Sequence, residues 1–192
     1  MPTKSTMYPK GFSTYIGEKE ISLINEGKSR PIFFQGVLTI VSKLFNIVQP
    51  THAFFGQKDA QQLIIVQKLI RDMNYNIRCH SVPTVRDKNG LALSSRNEYL
   101  DDKGLQTASN IYKSLCLVKT KLDNGEKNVS VLKKIFNDYI EQCDGLVIDY
   151  FSIADAETLQ EISTSIKKKV LISTAVIVNG KVRLIDYIEY SM

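Results

Sequence analysis

The sequence has few residues of the types that bind metal ions or form disulfides. It contains only two histidines, His52 and His80, and three widely spaced cysteines, Cys79, Cys116 and Cys143. With so few imidazoles, a histidine-based metal site or a two-histidine catalytic motif is hard to build, and the cysteines have no metal-ligand spacing. The sequence therefore predicts no metal site. An odd number of dispersed cysteines favours reduced thiols in the cytoplasm.

Long apolar runs and targeting features are also missing. No apolar stretch approaches the roughly 20 residues that span a bilayer, and residues 1–6 have no apolar core of the signal-peptide kind. We therefore expect a cytoplasmic protein without a membrane partner. The net charge of +5 favours an anionic partner. Because the basic residues are dispersed along the chain, we do not expect that partner to be nucleic acid.

The middle of the chain predicts a strand–helix–strand unit. The strands are expected at 53–55 and 77–82 and the helix at 59–73, with Asp59 as its N-cap. Two strands joined by a helical crossover should be parallel. The apolar stripe of this helix has five members at helical spacing: Leu63, Val66, Leu69, Ile70 and Met73.

The flanking segments complete an α/β fold in two domains. Before the central unit we expect a short strand at 13–16, a short helix at 18–25 and a long helix at 36–48. After it we expect a hairpin or tight loop at 83–95, helices at 102–122 and 129–143, and strands at 146–154, 170–178 and 181–187. These patterns predict a βαβ region with a parallel sheet, followed from about residue 98 by a separate small α+β domain.

Polar side chains gather where the first parallel strand passes into its helix. This first cluster comprises Gly56, Gln57, Lys58, Asp59 and Gln62. In an open α/β sheet, ligands bind at this position, and the N-terminus of the helix adds a partial positive charge. The alternative is an ordinary capped helix with a solvated lysine.

A second cluster, Leu93-Ser94-Ser95-Arg96-Asn97, combines two hydroxyls, a guanidinium and an amide in one loop. A guanidinium presents a planar fork that matches phosphate oxygens, and hydroxyls can complete the cradle. The alternative is a serine N-cap beside an exposed arginine. No G-x-x-x-x-G-K motif is present, so a P-loop enzyme is not expected.

Together the two clusters closely resemble the pantothenate synthetase (pantoate–β-alanine ligase) family. The matching residues are Gly56-Gln57-Lys58-Asp59 with Gln62, and Asp87-x-x-Gly90-Leu91-Ala92-Leu93-Ser94-Ser95-Arg96-Asn97. The resemblance begins near Met7-Tyr8-Pro9 and ends at Arg183-Leu184-Ile185-Asp186, so it covers nearly the whole chain. It implies that residues 1–97 form part of a Rossmann-like nucleotidyltransferase domain with a parallel sheet, and that residues 98–192 form a small α+β C-terminal domain.

The resemblance implies a role for each matching residue. Lys58 is expected to contact the phosphates of ATP, Gln62 to hold pantoate and Val85 to lie beside the adenine. Glu26 and Arg30 match positions near the site. The ATP-binding residues implied in this way are Gly56, Gln57, Lys58, Asp59, Val85, Leu93, Ser94, Ser95 and Arg96, of which the last four form a mobile loop that closes on the phosphates.

The resemblance also implies a two-step ligation in a cytoplasmic homodimer. Pantoate reacts with ATP to give pantoyl adenylate, and β-alanine then displaces AMP. The implied catalytic residues are Lys58, Ser94, Ser95 and Arg96, which suit the charge that builds on phosphate oxygens. Mg²⁺ is expected to accompany ATP and to be held largely by phosphate oxygens and water.

The chain departs from the family pattern in two ways. Ile32-Phe33 stands where the family usually has Gly-His, and the family's N-terminal His-x-Gly-His motif is missing. We therefore expect a fragment or shortened form with impaired activity alone. The alternatives are a non-catalytic nucleotide-binding or regulatory remnant of the same fold, another nucleotidyltransferase of the superfamily, and, more distantly, a nucleic-acid binder.

Overall fold

A computed structural model describes residues 2–191 and has the α/β class that the sequence predicts. The chain divides into two compact units between Val82 and Pro83, fifteen residues before the sequence-based boundary at 97/98. No helix within the described residues is both long and apolar enough to cross a membrane.

The first unit is built on two parallel strands. Strand β1 (His52–Gly56) pairs with β2 (Arg78–Val82) through helix α4 (Ala60–Asp72), in a register that runs from His52 opposite Arg78 to Gly56 opposite Val82. The predicted parallel pairing is thus confirmed.

Helix α3 (Phe33–Val48) covers one face of this pair. It begins three residues before the predicted start and ends, as predicted, at Val48, with Gln49 as its C-cap just before Pro50. Its Phe45 ring lies 6.5 Å from the ring of Phe55 on β1, edge to face. The preceding residue of β1, Phe54, points to the opposite face of the sheet and is 66% exposed.

Helix α4 buries a slightly different stripe from the predicted one. Met73 was predicted to lie in the stripe but follows the last helical residue and is exposed. Gln61 lies one turn before the fully buried Ile65 and shares its face. The buried residues of this helix are Gln61, Leu63, Ile65, Val66, Leu69 and Ile70.

The described segment before α3 contains only short helices. They are α1 (Lys4–Met7), a 3₁₀ turn at Ile21–Leu23 and α2 (Glu26–Ser29). The predicted strand at 13–16 is wrong, because the Ile16 N–H donates to the Thr39 hydroxyl of α3 (3.0 Å) rather than to a neighbouring strand.

The predicted helix at 18–25 is also wrong. The Glu18 carboxylate accepts from the N–H groups of Glu20 and Ser22 and turns the chain, so that only the 3₁₀ turn at Ile21–Leu23 forms within this segment. The turn is tight: a Cβ on Gly27 would lie 1.8 Å from the Ser22 carbonyl oxygen, so only glycine fits there.

The second unit packs two helices against one antiparallel sheet. The helices come first and are α5 (Asp102–Asp123) and α6 (Val129–Glu141). The strands follow and are β3 (Leu146–Asp155), β4 (Val170–Val178) and β5 (Val182–Tyr190). They form a sheet in the order β3–β4–β5. The largest fully buried side chains of this unit include Phe136, Ile111, Leu115, Leu132 and Ile172.

The predicted hairpin between β4 and β5 is confirmed. Asn179 and Gly180 both have positive φ, 52° and 67°, as the two central residues of a type I′ turn require. The second unit also includes a small hairpin closed by pairing of Arg86 with Ala92, whose Leu91 side chain lies in the core. This packing explains why the boundary falls before the hairpin rather than after it.

Candidate functional site

The first cluster lies at the end of β1, where the sequence placed it. After Gly56 the chain forms a 3₁₀ turn, Gln57–Asp59, which leads directly into α4. The Lys58 side chain is 20% exposed, and its Nζ lies 3.6 Å from the Asp59 carboxylate. Because this ion pair is long, the ammonium group still has N–H donors for a further anion.

Asp59 does not cap α4 through its side chain, so this part of the prediction is wrong. Its backbone, at φ −96° and ψ 60°, carries the carboxylate toward Lys58, and no side-chain cap hydrogen bond to α4 is found among the described residues. The first-turn N–H groups of α4 therefore receive no carboxylate from Asp59. An anion placed at this helix end would be stabilised by those groups.

Gln61 is a structural residue of this cluster that the sequence analysis missed. Its buried amide oxygen accepts from the Glu26 N–H (3.1 Å), and its amide nitrogen donates to the carbonyls of Ile21 (2.7 Å) and Ile24 (2.8 Å). Only its position one turn before Ile65, on the buried face, could have indicated this role. Gln62, the predicted pantoate residue, is only partly buried.

Glu26 and Arg30 belong to the same unit. The Gln61 amide ties the buried Glu26 to the first turn of α4, which brings this residue next to the first cluster. The Arg30 guanidinium carbon lies 3.7 Å from the centre of the Phe33 ring, a cation–π contact. Arg30 therefore stacks on a side chain of α3.

The second cluster follows the small hairpin of the second unit. The Leu93 N–H donates to the Val85 carbonyl (2.9 Å), which places these two predicted ATP contacts on adjacent strands of the hairpin. Both side chains are exposed. Exposed apolar side chains on one hairpin offer a surface for a flat, apolar ring.

Ser94 and Arg96 are both held by local hydrogen bonds. The Ser94 hydroxyl accepts from the Arg96 N–H (3.3 Å) and caps the 3₁₀ helix Ser95–Tyr99, so the simpler alternative of a serine N-cap is correct for this residue. The Arg96 Nη1 donates to the Arg183 carbonyl of β5 (3.0 Å). Ser95 is exposed.

A buried ion pair anchors the hairpin that carries this cluster. Arg86 donates to both Asp186 oxygens, at 2.6 and 2.8 Å, and its guanidinium carbon lies 3.6 Å from the centre of the Tyr112 ring. Burial alone would lower the pKa of Arg86, but the bonds to Asp186 outweigh burial and raise it. The hairpin is thus fixed to β5 and α5 by a permanently charged group.

A family model described as pantoate-beta-alanine ligase matches residues 1–189. This chain belongs to the pantoate-beta-alanine ligase family. The match spans both units and both clusters. The resemblance that the sequence motifs indicated is therefore confirmed.

Individual relatives give the same result. The chain is 45% identical over 186 residues to pantothenate synthetase of Thermosipho africanus, covering 97% of this chain and 66% of that protein. The crystal structure of pantothenate synthetase from Thermus thermophilus has a TM-score of 0.92 at 35% identity, covering 97% of this chain and 67% of that chain.

A third relative was solved with ligands. The pantoate-beta-alanine ligase of Francisella tularensis, complexed with "Beta-gamma ATP" and beta-alanine, has a TM-score of 0.69 at 31% identity, covering 96% of this chain and 61% of that chain. The chain thus spans about 66% of the length of the curated relatives that it matches. The roles assigned to individual site residues remain predictions.

Proposed function

We propose that this chain binds ATP and supplies the phosphate-contacting part of a site that joins pantoate to β-alanine. The proposal rests on the position of Lys58. This partly exposed cation lies at the end of a parallel strand and beside the N-terminus of α4, which the Asp59 side chain does not cap. In a member of this ligase family, an anionic triphosphate is the ligand that this position suits.

Each cluster would then contribute its own contacts to ATP. In this proposal Lys58 neutralises phosphate charge, and the backbone of Gly56, Gln57 and Asp59 lies along the nucleotide. The hydroxyls of Ser94 and Ser95 donate to phosphate oxygens. Val85 and Leu93 contact the adenine, whose flat ring suits their exposed apolar side chains.

Arg96 exchanges partners when ATP binds. In the present structure its guanidinium donates to the neutral Arg183 carbonyl. A charged phosphate oxygen is a stronger acceptor for a guanidinium than a neutral carbonyl, because it adds Coulomb attraction between opposite charges and can accept a bidentate pair of hydrogen bonds. We propose that Arg96 leaves Arg183 for the phosphates, so that the loop 93–96 closes on the nucleotide.

Pantoate is assigned to Gln62. A carboxamide can orient a hydroxy-carboxylate by donating and accepting hydrogen bonds, and it does not compete as a base. Glu26 and Arg30 lie in the same unit, and Glu26 is tied to the first turn of α4 through Gln61. We assign these two residues to the support of this pocket rather than to the reaction.

The proposed reaction proceeds through an adenylate. The pantoate carboxylate attacks the α-phosphorus of ATP and pyrophosphate leaves, and the β-alanine amine then attacks the mixed anhydride to release AMP. Lys58 and Arg96 stabilise charge that develops on phosphate oxygens, while the hydroxyls fix their position. The nucleotide enters as its magnesium complex, with the ion held by phosphate oxygens and water.

We further propose that these 192 residues, tested alone, turn over slowly. They span about 66% of the length of the curated relatives, and loss of even one preorganised donor to developing charge lowers a rate roughly 10²- to 10³-fold. The same family membership supports a cytoplasmic homodimer as the working assembly.

Calorimetry with ATP and pantoate tests the proposal. We expect 1:1 binding of magnesium ATP and tighter ATP binding when pantoate is present, with pantothenate formation well below that of the Thermosipho africanus relative. ATP binding that pantoate does not change would favour a non-catalytic nucleotide-binding or regulatory protein instead. No ATP binding would refute the proposal.

A further inference from the structure

The two histidines of the chain meet on the exposed face of the parallel sheet. His52 begins β1 and His80 lies in the middle of β2, 28 positions later, yet His52 Nδ1 lies 2.7 Å from His80 Nε2. The ring centres are 5.0 Å apart and the ring planes differ by 28°, so the two rings meet edge to edge through these nitrogens. No local sequence pattern predicts this pair, because the approach depends on the register of the two strands.

The surroundings hold the two imidazoles in place. Phe54 is the register partner of His80, and their rings stack at 4.9 Å with an angle of 19° between their planes. His80 is therefore packed between Phe54 and His52. Because both histidines lie on regular strands, their backbones are fixed with respect to each other.

The facing nitrogens have one proton between them. In neutral imidazole one ring nitrogen carries a proton and the other an electron pair, so one histidine donates to the other at 2.7 Å. If the donor ring takes its other tautomer, with the proton on its outer nitrogen, both facing nitrogens present electron pairs. No net proton release is needed for this change.

We propose that His52 Nδ1 and His80 Nε2 together chelate one divalent transition-metal ion of the Zn²⁺, Ni²⁺ or Cu²⁺ class. Two metal–nitrogen bonds of about 2.0–2.1 Å at a normal coordination angle place the two nitrogens roughly 3 Å apart. The nitrogens need to separate by only a few tenths of an ångström. Their electron pairs now point at each other, so rotation about the side-chain bonds, beginning with the exposed His52, must turn both of them toward the ion. The outer nitrogens face away and keep their protons.

The chemistry of the site defines which ions bind. Imidazole nitrogen suits Zn²⁺, Ni²⁺ and Cu²⁺, whereas Mg²⁺ prefers oxygen ligands. No group of three or more histidine, cysteine, aspartate or glutamate side chains with metal-binding geometry occurs within residues 2–191. Water therefore completes the coordination shell, and the affinity is that of a two-ligand chelate.

One neighbouring charge opposes cation binding. The register places Arg78 beside His52, and the pleat places it on the same face of the sheet. A guanidinium near the site repels a bound divalent ion and so raises the free energy of the metal-bound state. Cys79, the adjacent residue on β2, points to the opposite face and is not a ligand in this proposal.

A bound ion would link β1 to β2. It bridges the two strands of this sheet, and so it stabilises the folded first unit by mass action. Strand β1 leads into the Gly56–Asp59 turn, so the same link restrains one end of the first cluster. The metal site itself does not depend on the proposed ligase function.

Calorimetric titration of the whole chain with Zn²⁺ tests the site. We expect 1:1 binding that weakens at least tenfold in either His52→Gln or His80→Gln, and no response to Mg²⁺ at the same concentration. Arg78→Gln should bind Zn²⁺ several-fold more tightly, and Cys79→Ser should leave binding unchanged. Circular dichroism of each variant confirms that the chain is folded.

Nitrogen-15 NMR of the imidazoles gives an independent measurement. Zn²⁺ should shift His52 Nδ1 and His80 Nε2 together, at one stoichiometric equivalent. Binding that survives both histidine variants, that depends on only one of them, or that is lost in Cys79→Ser would overturn the proposal.

Discussion

The side-chain oxygen of Gln61 accepts a hydrogen bond from the Glu26 N–H at 3.1 Å, across 35 positions of the sequence. With its two donated bonds, this amide fastens the segment from Ile21 to Glu26 onto the first turn of α4. The neighbouring Gln62 is only partly buried and is the residue proposed to hold pantoate. Of these two adjacent glutamines, Gln61 thus has a structural role and Gln62 a proposed role in binding.

Replacing Gln61 by Met should therefore destabilise the first unit by about 3 kcal/mol, because it leaves a buried N–H and two carbonyls without their partner. Gln62→Met is the matched control and should change stability by less than about 0.5 kcal/mol. The measurement is the urea midpoint of each variant. Equal effects of the two substitutions would show that the Gln61 amide does not hold this segment.

Ile32 is held in a strained backbone conformation. Its φ of 63° and ψ of −5° are left-handed, a region that β-branched residues rarely adopt, and its side chain is 81% exposed. The family usually has glycine here. Ile32→Gly should raise the free energy of unfolding by about 1 kcal/mol, since the left-handed strain exceeds the entropy that glycine adds to the unfolded chain.

Ile32→Val provides the control for this prediction, because valine is also β-branched and should give no gain. Thermal and urea unfolding of the three chains are the measurements. A glycine variant that is no more stable than the valine variant would show that the backbone at this position is not strained.

The ion pair of Arg86 with Asp186 should be essential to the second unit. Arg86→Met leaves the buried Asp186 carboxylate without its partner, and the expected loss is about 3–5 kcal/mol. Amide hydrogen exchange should show that the hairpin from Arg86 to Ala92 opens first. Lys119→Met breaks an exposed pair with Asp123 on α5 and should have little effect. If Arg86→Met lowers the free energy of unfolding as little as Lys119→Met does, this account is contradicted.

Acid should weaken the second unit through Asp155. The ion pair with Lys168 holds the pKa of the buried Asp155 carboxyl well below its ordinary value near 4, against the opposing effect of burial, and the N–H groups of Thr158 and Glu157 lower it further. Because the folded pKa lies below the unfolded one, this stability is complete above the unfolded value. It is lost as the pH falls from about 4 toward the folded pKa.

Urea unfolding at pH 7 and pH 3 measures this effect. Asp155→Asn should be less stable than the natural chain at pH 7 and should lose less stability on acidification. Asp138→Asn, which removes an exposed carboxylate on α6, should keep the acid dependence of the natural chain. If Asp155→Asn retains the full acid dependence, another group is responsible for it.

The sequence predicted the elements whose form depends on local pattern. Helix α5 was predicted within one residue, and strand β4 was predicted with its observed bounds. The turn at Asn179-Gly180 was also predicted, because its residues satisfy a specific backbone requirement. The strand and the helix on either side of the first cluster were also predicted, each within one residue at both ends.

The remaining features depend on contacts between distant residues. Residues 13–25 follow a path set by Thr39 and Gln61 rather than by their own propensities. The present partner of Arg96 is a carbonyl 87 positions away, and the partner of His52 is 28 positions away. No local pattern encodes such pairings, so the sequence did not predict them.

The central claim is that Lys58 and Arg96 both contact phosphates of ATP, as proposed above. Calorimetric titration with ATP tests this claim most directly. The variants are Lys58→Met, Arg96→Met and the control Lys121→Met, and each removes one positive charge. The account predicts 1:1 binding in the natural chain, at least a tenfold loss of affinity in each of the first two variants, and little change in the control. Affinity that stays unchanged in either Lys58→Met or Arg96→Met would contradict it.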